Sequence, residues 1–213
     1  MTEDFWHERW RLGQIGFHQN EVHPNVLAYT GGWSGHRVLV PLCGASHDLG
    51  WLAHQGADVT GVELSPVAAL RLFTDLDIAP ITTVERPFTV HRATVGNGHL
   101  TVFVGDWFAM TPAAPFDRVW DRAAMIALPP NLRPAYVAQL QRLCGGPFVL
   151  LLNTIQYEGD FQGPPFSVSD AEVLTAYQHA GITEVERLDL RSREARWAAL
   201  DKAEQVTRRI TVA

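Results

Sequence analysis

One stretch, from Arg37 to Ser65, constrains the fold more than any other part of the sequence. It reads as a strand, a tight turn, a helix and a second strand. Residues 38–40 are wholly apolar, which is typical of a parallel strand covered on both faces. After the turn at residues 42–44, Ser46 can cap a helix whose C-terminal end suits Gly56. The pattern predicts the first half of a nucleotide-type α/β domain.

An acid, Glu63, follows the second predicted strand, Asp58–Val62, and lies about twenty residues after Gly44. In nucleotide-binding α/β folds an acid at this place accepts hydrogen bonds from a ribose. A dinucleotide would need a G-x-G-x-x-G turn to bring backbone N–H groups against a pyrophosphate, and here Gly44 stands alone. The turn therefore disfavours an NAD-dependent oxidoreductase and favours S-adenosylmethionine, which has a ribose but no phosphate. A generic βαβ unit with a solvated acid is the plainer interpretation.

Composition narrows the class of protein further. The 213 residues are 46% hydrophobic and 19% charged, which predicts one well-buried domain over residues 1–213. A net charge of −6 disfavours nucleic-acid binding, since that affinity comes mostly from Lys and Arg. Two cysteines do not make a disulfide framework, and their spacing predicts no metal site. No apolar run reaches membrane-spanning length, so we expect a soluble, cytoplasmic protein, and we expect it to be a monomer.

The N-terminal residues 1–30 are predicted to form two short helices. The first, Phe5–Gln14, is amphipathic and carries Trp6 and Trp10 one turn apart. These tryptophans either anchor the helix to the core or belong to a lid that closes a ligand pocket, and the irregular segment that follows favours the lid. The second helix is expected at Asn25–Tyr29. His18 and His23, five residues apart, have no nearby partner in the sequence that would predict metal binding.

The middle of the chain continues the alternation of strands and helices. Ser65-Pro66 begins a helix, and Asn97-Gly98 is a strong hairpin signal that adds an antiparallel strand beside the third core strand. That core strand is expected to end at Asp106-Trp107. An acid there could accept the adenine amino group while the aromatic side chain packs the ring; a turn aspartate and a core tryptophan is the equally open alternative.

The second half of the chain predicts the rest of an open α/β sheet, with Arg122 directly after the fourth core strand, where ligands of such sheets bind. We expect a Rossmann-like, mostly parallel seven-stranded sheet with helices on both faces and an added hairpin strand. The predicted elements are strands Phe116–Asp121, Phe148–Leu152, Ile182–Leu190 and Val206–Val212, helices Asn131–Leu143 and Ser169–Ala180, and a stiff loop at Gln162–Phe166.

Several separated motifs resemble those of the thiopurine S-methyltransferase family. They are Trp6-x-x-x-Trp10 with Ile15-Gly16-Phe17-His18-Gln19, RVLVPLCG at 37–44, GVELS at 61–65, Trp120-Asp121-Arg122-Ala123-Ala124 and Gly163-Pro164-Pro165-Phe166. The resemblance runs from about Phe5 to the end of the chain. It implies a class I S-adenosylmethionine-dependent methyltransferase that acts on the sulfur of an aromatic or heterocyclic thiol.

The resemblance also implies site residues. The positions that contact the cofactor in the family are Trp6, Leu42, Glu63 and Arg122, with Trp10, Asp106 and Trp107 nearby; the turn at Gly44 adds close backbone approach. Phe17 lies where the family meets its substrate. Arg122 and Arg193 match two arginines near the thiopurine ring, where positive charge would favour the thiolate, so Arg122 is the predicted catalytic residue. A solvated charge is the plainer interpretation of Arg193.

The natural acceptor stays open at this point. Besides aromatic thiols, selenium or tellurium species, small thiols and halides fit the same chemistry. A non-catalytic binder of S-adenosylmethionine or a nucleoside is the alternative from another class, and it would not need an aromatic lid or Phe17. No Ser/His/Asp or paired-carboxylate arrangement predicts a general base. An aromatic thiol, being partly ionised near neutral pH, needs one less than other nucleophiles do.

Overall fold

The computed structural model describes residues 3–213, which divide between Arg118 and Val119 into two compact units. The lid predicted over residues 1–30 begins with Met1 and Thr2, which lie outside the described residues.

The first unit alternates strands and helices as the sequence predicts. Its elements are α1 (Glu3–Arg11), α2 (Pro24–Tyr29), β1 (Arg37–Pro41), α3 (His47–His54), β2 (Asp58–Glu63), α4 (Pro66–Asp75), β3 (Ile81–Glu85), β4 (Phe88–Val95) and β5 (Gly98–Val104). The strands lie in the order β3-β4-β5-β2-β1. Strand β2 runs parallel to both β1 and β5, whereas β4 is antiparallel to its two neighbours. Because parallel strands end at the same edge, the carboxyl ends of β1, β2 and β5 lie together.

The second unit contains the remaining strands. Its elements are β6 (Arg118–Asp121), α5 (Ala124–Ala127), α6 (Arg133–Cys144), β7 (Phe148–Glu158), α7 (Asp170–Ala176), β8 (Gly181–Asp189) and β9 (Lys202–Val212). Here the order is β6-β7-β9-β8, and β9 is antiparallel to both β7 and β8. The apolar run that begins β7 is buried from Leu150 to Ile155, as a strand inside a layered α/β fold requires.

Most element boundaries agree with the sequence pattern, and the exceptions have local causes. Helix α1 ends at Arg11 rather than Gln14, because Gly13 takes a φ of +67° and the N–H of Gln14 turns back to the Arg9 carbonyl at 2.9 Å. Helix α6 begins at Arg133 rather than Asn131, since Pro134 occupies its first turn and a short 3-10 turn, Pro130–Leu132, precedes it.

Three further differences concern the strands and the next helix. The hairpin turns through Gly96-Asn97, with Gly98 already paired to Val95, so the predicted Asn97-Gly98 turn was displaced by one residue. Strand β5 ends at Val104, before Asp106. Helix α7 ends at Ala176 instead of Ala180. Strand β3 was not predicted, and β7 and β9 extend further than expected because they pair with each other as far as Glu158 and Lys202.

Candidate active site

The turn after β1 brings backbone N–H groups to the carboxyl edge of the first sheet. Leu42 has a φ of +46° and Gly44 a φ of +56°. A positive φ at leucine is strained backbone, and such strain concentrates at binding sites. The N–H of Cys43 donates to the Val62 carbonyl at 3.0 Å, which fixes the turn against β2. The cofactor contacts predicted at Leu42 and Gly44 would therefore be made by a strained turn at the carboxyl edge of the first sheet.

Glu63, the last residue of β2, is held rigidly beneath this turn. Its side chain is buried, with 6% exposed. Oε2 accepts the Gly44 N–H at 2.8 Å, and Oε1 accepts the Ser65 N–H at 2.7 Å. Burial raises the pKa of Glu63, while these backbone N–H groups act in the opposite direction. A carboxylate offers about four lone-pair sites and three backbone N–H groups, those of Gly44, Leu64 and Ser65, act on this one, so it can still accept a hydrogen bond from a ribose.

Cys43, inside the same turn, is not available as a nucleophile. Its side chain is buried, and burial together with the charge of Glu63 raises the pKa of the thiol well above its ordinary value. A protonated thiol is a poor nucleophile. The turn is therefore suited to binding rather than to covalent chemistry.

Three aromatic side chains form what we call the aromatic cap: Trp6, Trp10 and Phe17. Each tryptophan packs edge-on to Phe17 with ring centroids 5.7 Å apart. Trp10 lies over the turn, since a Cβ placed on Gly44 would be 3.1 Å from its Cζ2 atom. Trp10 is buried, Trp6 half-buried and Phe17 exposed. The cap therefore has an anchored inner member and an outer member facing solvent.

Asp106 and Trp107 follow β5 at the same sheet edge as Glu63. Glu63 is paired with Val104 in the parallel register, and the Gly105 N–H donates to the Glu63 carbonyl at 2.9 Å. The exposed Asp106 caps a 3-10 turn by accepting the Phe108 N–H at 3.0 Å, and Trp107 is buried. Asp106 is thus a turn residue and Trp107 a core residue, as the alternative interpretation of the sequence proposed. The hydrogen bond from Phe108 uses only Oδ1 of Asp106, so Oδ2 can accept a hydrogen bond from an exocyclic amine.

These first-unit residues fit an adenosyl cofactor better than a dinucleotide. The groups present are a buried acid, a glycine turn covered by tryptophan and an acid after the neighbouring strand, which are the kinds of group that a ribose, a close backbone approach and an adenine require. A side chain at Gly44 would fill the space beneath Trp10. The N-terminus of the next helix, α3, is capped by Ser46, whose Oγ accepts the Asp48 N–H at 3.3 Å. The turn at residues 42–44 therefore lacks the glycine-rich connection to a helix N-terminus that holds a pyrophosphate.

The second unit holds Arg122, directly after β6, on a rigid support. Its neighbour Asp121 is fully buried and accepts hydrogen bonds from the Tyr136 hydroxyl at 2.6 Å and from the N–H of Ala124, the first residue of α5, at 3.0 Å. Burial raises the pKa of Asp121 to about 6. Arg122 itself is half-buried. The sequence predicted a role for Arg122 but not for the buried carboxyl group of Asp121, which fixes the chain on either side of Arg122. An acid followed by an arginine is typical of a solvated surface pair, so the sequence did not indicate burial.

Arg193 lies in the turn after β8, exposed, with its N–H donating to the Leu190 carbonyl at 3.0 Å. The same unit contains an aromatic cluster that the sequence did not predict, formed by Tyr157, Phe161 and Trp197. Phe161 and Trp197 have ring centroids 4.7 Å apart, and Tyr157 contacts both rings. The Tyr157 hydroxyl donates to the Pro165 carbonyl at 3.1 Å, so the predicted stiff loop is tied to this cluster. Trp197 lies 36 residues after Phe161 in the sequence, so no local pattern indicates that it joins the other two rings.

Solved structures identify the fold. The chain is similar to a 1,6-didemethyltoxoflavin-N1-methyltransferase from Burkholderia thailandensis with a TM-score of 0.65, at 14% identity over 98% of this chain and 86% of that one. It is also similar to the N-methyltransferase NodS from Bradyrhizobium japonicum with a TM-score of 0.64, at 16% identity over 96% and 92% of the two chains. The predicted fold is confirmed: the chain has the fold of the class I S-adenosylmethionine-dependent methyltransferases.

Sequence relatives give the family. The thiopurine S-methyltransferase family model matches residues 1–211. The chain is 43% identical to a thiopurine S-methyltransferase of Pseudomonas paraeruginosa over 89% of this chain and 88% of the relative, and 41% identical to one of Gluconobacter oxydans over 83% and 80%. The chain belongs to the thiopurine S-methyltransferase family. It is an enzyme that uses S-adenosylmethionine to methylate a thiol sulfur. Among the described residues, the helices lack the length and apolarity needed to cross a membrane.

Proposed function

We propose that this enzyme methylates the sulfur of an aromatic or heterocyclic thiol, with thiopurines as representative acceptors. The observation that supports this most is the aromatic cap, whose outer member, Phe17, lies beside the tryptophan that covers the Gly44 turn. A flat aromatic acceptor gains contact area and edge-to-face packing there, which a small thiol or a halide would not. The names of the relatives point to the same acceptor class.

In this proposal the first-unit residues hold the cofactor. Glu63 accepts hydrogen bonds from the ribose hydroxyls while Gly44 and Leu42 supply close backbone approach. Asp106 accepts from the adenine amino group, and Trp107, Trp6 and Trp10 pack the apolar parts. When bound, S-adenosylmethionine supplies a methyl group already activated by the sulfonium charge. The protein has mainly to align the reactants, and positioning of this kind contributes on the order of 7 to 11 kcal/mol.

The acceptor sulfur must be an anion when it attacks, and two arginines would supply the positive charge that favours it. Arg122, our proposed catalytic residue, follows a strand whose end is fixed by the buried Asp121. Arg193 would assist as a substrate-binding residue. A nearby cation lowers the pKa of a thiol, so the fraction of thiolate at neutral pH rises. No dedicated base is required in this scheme.

We further propose that residues 1–213 act as one methyltransferase domain whose N-terminal helices form a lid, and that the enzyme is a cytoplasmic monomer. The family match, which spans both compact units, supports the single functional domain. Two buried free cysteines agree with a reducing compartment.

The experiment that tests the acceptor is a methyl-transfer screen with labelled S-adenosylmethionine. Its arms are aromatic thiols, thiopurines, small thiols, selenite-derived species and halides, and each thiol is paired with the matching hydroxyl compound as a control. We expect label in the aromatic and heterocyclic thiols and none in their oxygen counterparts. Label confined to selenium or tellurium species, small thiols or halides would replace the proposed acceptor. Cofactor binding without transfer to any compound would favour a non-catalytic binder.

A further inference from the structure

Three side chains from separate segments of the first unit converge on one point. His18 directly follows Phe17 of the aromatic cap, His47 is the first residue of α3, and Asp75 is the last residue of α4. One ligand atom from each lies within 4.8 Å of the other two. The Nε2 atom of His47 is 3.7 Å from Oδ2 of Asp75, and the two imidazole rings have centroids 6.1 Å apart. Both histidines are half-buried and Asp75 is exposed at the surface.

Sequence spacing could not reveal this cluster, because its members stand at positions 18, 47 and 75. His18 was weighed only against His23, and the structure gives His23 a different role. The Nδ1 atom of His23 accepts the Asn25 N–H at 3.2 Å and caps α2, while the backbone N–H of His23 donates to Oδ1 of Asp48 at 2.7 Å. The ring of His23 thus has a structural role separate from His18.

We propose that His18, His47 and Asp75 form a binding site for Zn²⁺. Two imidazoles and one carboxylate are the ligands that this ion takes at sites with three protein ligands, where water fills the fourth position. A tetrahedral ion about 2.0 to 2.2 Å from its ligands needs them roughly 3.4 Å apart. The His47–Asp75 distance of 3.7 Å is already close to that value, and small rotations of these partly exposed side chains can shorten the longest separation. Mg²⁺ and Ca²⁺ are not expected, since they prefer oxygen ligands throughout.

One neighbouring charge competes with the ion. Arg71, one turn before Asp75 on α4, donates from Nε to Oδ2 of Asp75 at 3.3 Å. Both partners of this ion pair are partly exposed, so it is weak and can be displaced. Removing the Arg71 charge should therefore tighten Zn²⁺ binding by a few-fold.

The location of the site gives it a consequence. The ion would tie the segment that carries Phe17 to the start of α3, which follows the Gly44 turn within a few residues, and to the end of α4. His18 also packs edge-on to Trp10, with ring centroids 6.0 Å apart. Occupancy would hold the aromatic cap over the turn and restrict its opening. Zn²⁺ binding itself does not depend on which thiol the enzyme methylates, so the two proposals fail or stand separately.

The test is a Zn²⁺ titration of metal-free, full-length protein in competition with a chromophoric chelator. We expect one ion per chain, and we expect His18→Ala, His47→Ala and Asp75→Asn each to weaken binding by about 100-fold or more, beyond the effect of losing an outer partner. His179→Ala is the matched control, because His179 is an exposed histidine of the second unit, and its affinity should equal that of the wild type. Arg71→Ala should bind more tightly.

Two further readouts identify the ligands and keep the test valid if one variant is unstable. Co²⁺ in place of Zn²⁺ should give visible d–d bands without a thiolate charge-transfer band, since Cys43 and Cys144 are buried. Amide exchange over residues 15–20 should slow with Zn²⁺ in the wild type but not in Asp75→Asn. The site would be overturned by an absence of stoichiometric binding, by wild-type affinity in the three ligand variants, or by a thiolate band.

Discussion

Replacing Glu63 by alanine tests the proposed cofactor site most sharply, because this side chain links the turn after β1 to the start of α4. In the wild type its two oxygens accept the Gly44 and Ser65 N–H groups at 2.8 and 2.7 Å. The substitution removes the proposed ribose acceptor, and both N–H groups lose their carboxylate partner. It also removes a carboxylate whose burial is costly, as the raised pKa of Glu63 indicates.

The expected magnitude follows from these opposing effects. Loss of a charge-assisted acceptor should weaken S-adenosylmethionine binding by about 1.5 to 3 kcal/mol, or roughly 10- to 150-fold in Kd. The fold should lose less, about 1 to 2 kcal/mol, because the desolvation cost disappears with the carboxylate. For a chain of this size that corresponds to a fall in Tm of roughly 2 to 8 °C.

Calorimetric titration with S-adenosylhomocysteine measures the affinity, and circular dichroism checks the fold. Asp58→Ala is the matched control, since Asp58 begins the same strand at its opposite end. Protonation of Glu63 should weaken cofactor binding. Because the pKa of Glu63 is raised, the wild-type affinity should begin to fall at a higher pH than it would with an ordinary glutamate. The alanine variant should lose this pH dependence. Unchanged affinity in a folded Glu63→Ala protein would remove Glu63 from the site.

The other predictions concern the cap, the turn and the second unit. Amide exchange over residues 3–20 should slow when S-adenosylhomocysteine binds, and equal rates with and without it would leave the tryptophans as plain core anchors. Gly44→Ala should weaken cofactor binding at least 10-fold, because alanine is strained at a φ of +56° and its Cβ would lie 3.1 Å from Trp10. Gly146→Ala should leave binding unchanged, because a Cβ at Gly146 has no other atom within 4 Å. Arg122→Met should raise the pH of half-maximal thiol methylation, with partial recovery by lysine; an unmoved profile with a raised cofactor KM would make Arg122 a cofactor clamp. The pKa of Asp121 is raised from 3.8 to about 6, so between these two pH values the folded chain holds a proton that the unfolded chain has released. The free energy of unfolding of the wild type should therefore fall by about 3 kcal/mol relative to Asp121→Asn as the pH rises from about 4 to 6, and then stay level. Urea unfolding that shows no such difference contradicts the assignment.

Local signals explain why much of the first unit could be predicted from the sequence. The apolar run of β1, the Ser46 and Ser65 caps and the acid at the end of β2 each depend on neighbouring residues, and all are present in the structure. What the pattern could not give was the strain at Leu42, because a leucine with positive φ leaves no compositional trace. The dual grip of Glu63 on the turn and on Ser65 likewise depends on tertiary geometry.

Non-local pairing explains the remaining differences. Strand β3, a run of β-branched residues at Ile81–Val84, is exposed along its whole length and so lacks the buried face that marks a strand. The extra length of β7 arises from its pairing with β9 about fifty residues later. The same reasoning applies to the proposed metal site, whose ligands meet only through the packing of the N-terminal segment near α3 and α4.

The regiochemistry of methyl transfer tests the central claim most directly, because the solved structures that share this fold include two named as N-methyltransferases. S-adenosylmethionine carrying a ¹³C-methyl group would be incubated with a thiopurine that offers both a sulfur and ring nitrogens, and the product methyl carbon observed by NMR. We expect a single S-methyl signal that grows in step with S-adenosylhomocysteine and is lost or strongly slowed in Glu63→Ala. An N-methyl signal, or cofactor consumption without any methylated purine, would contradict the assignment of sulfur as the acceptor atom.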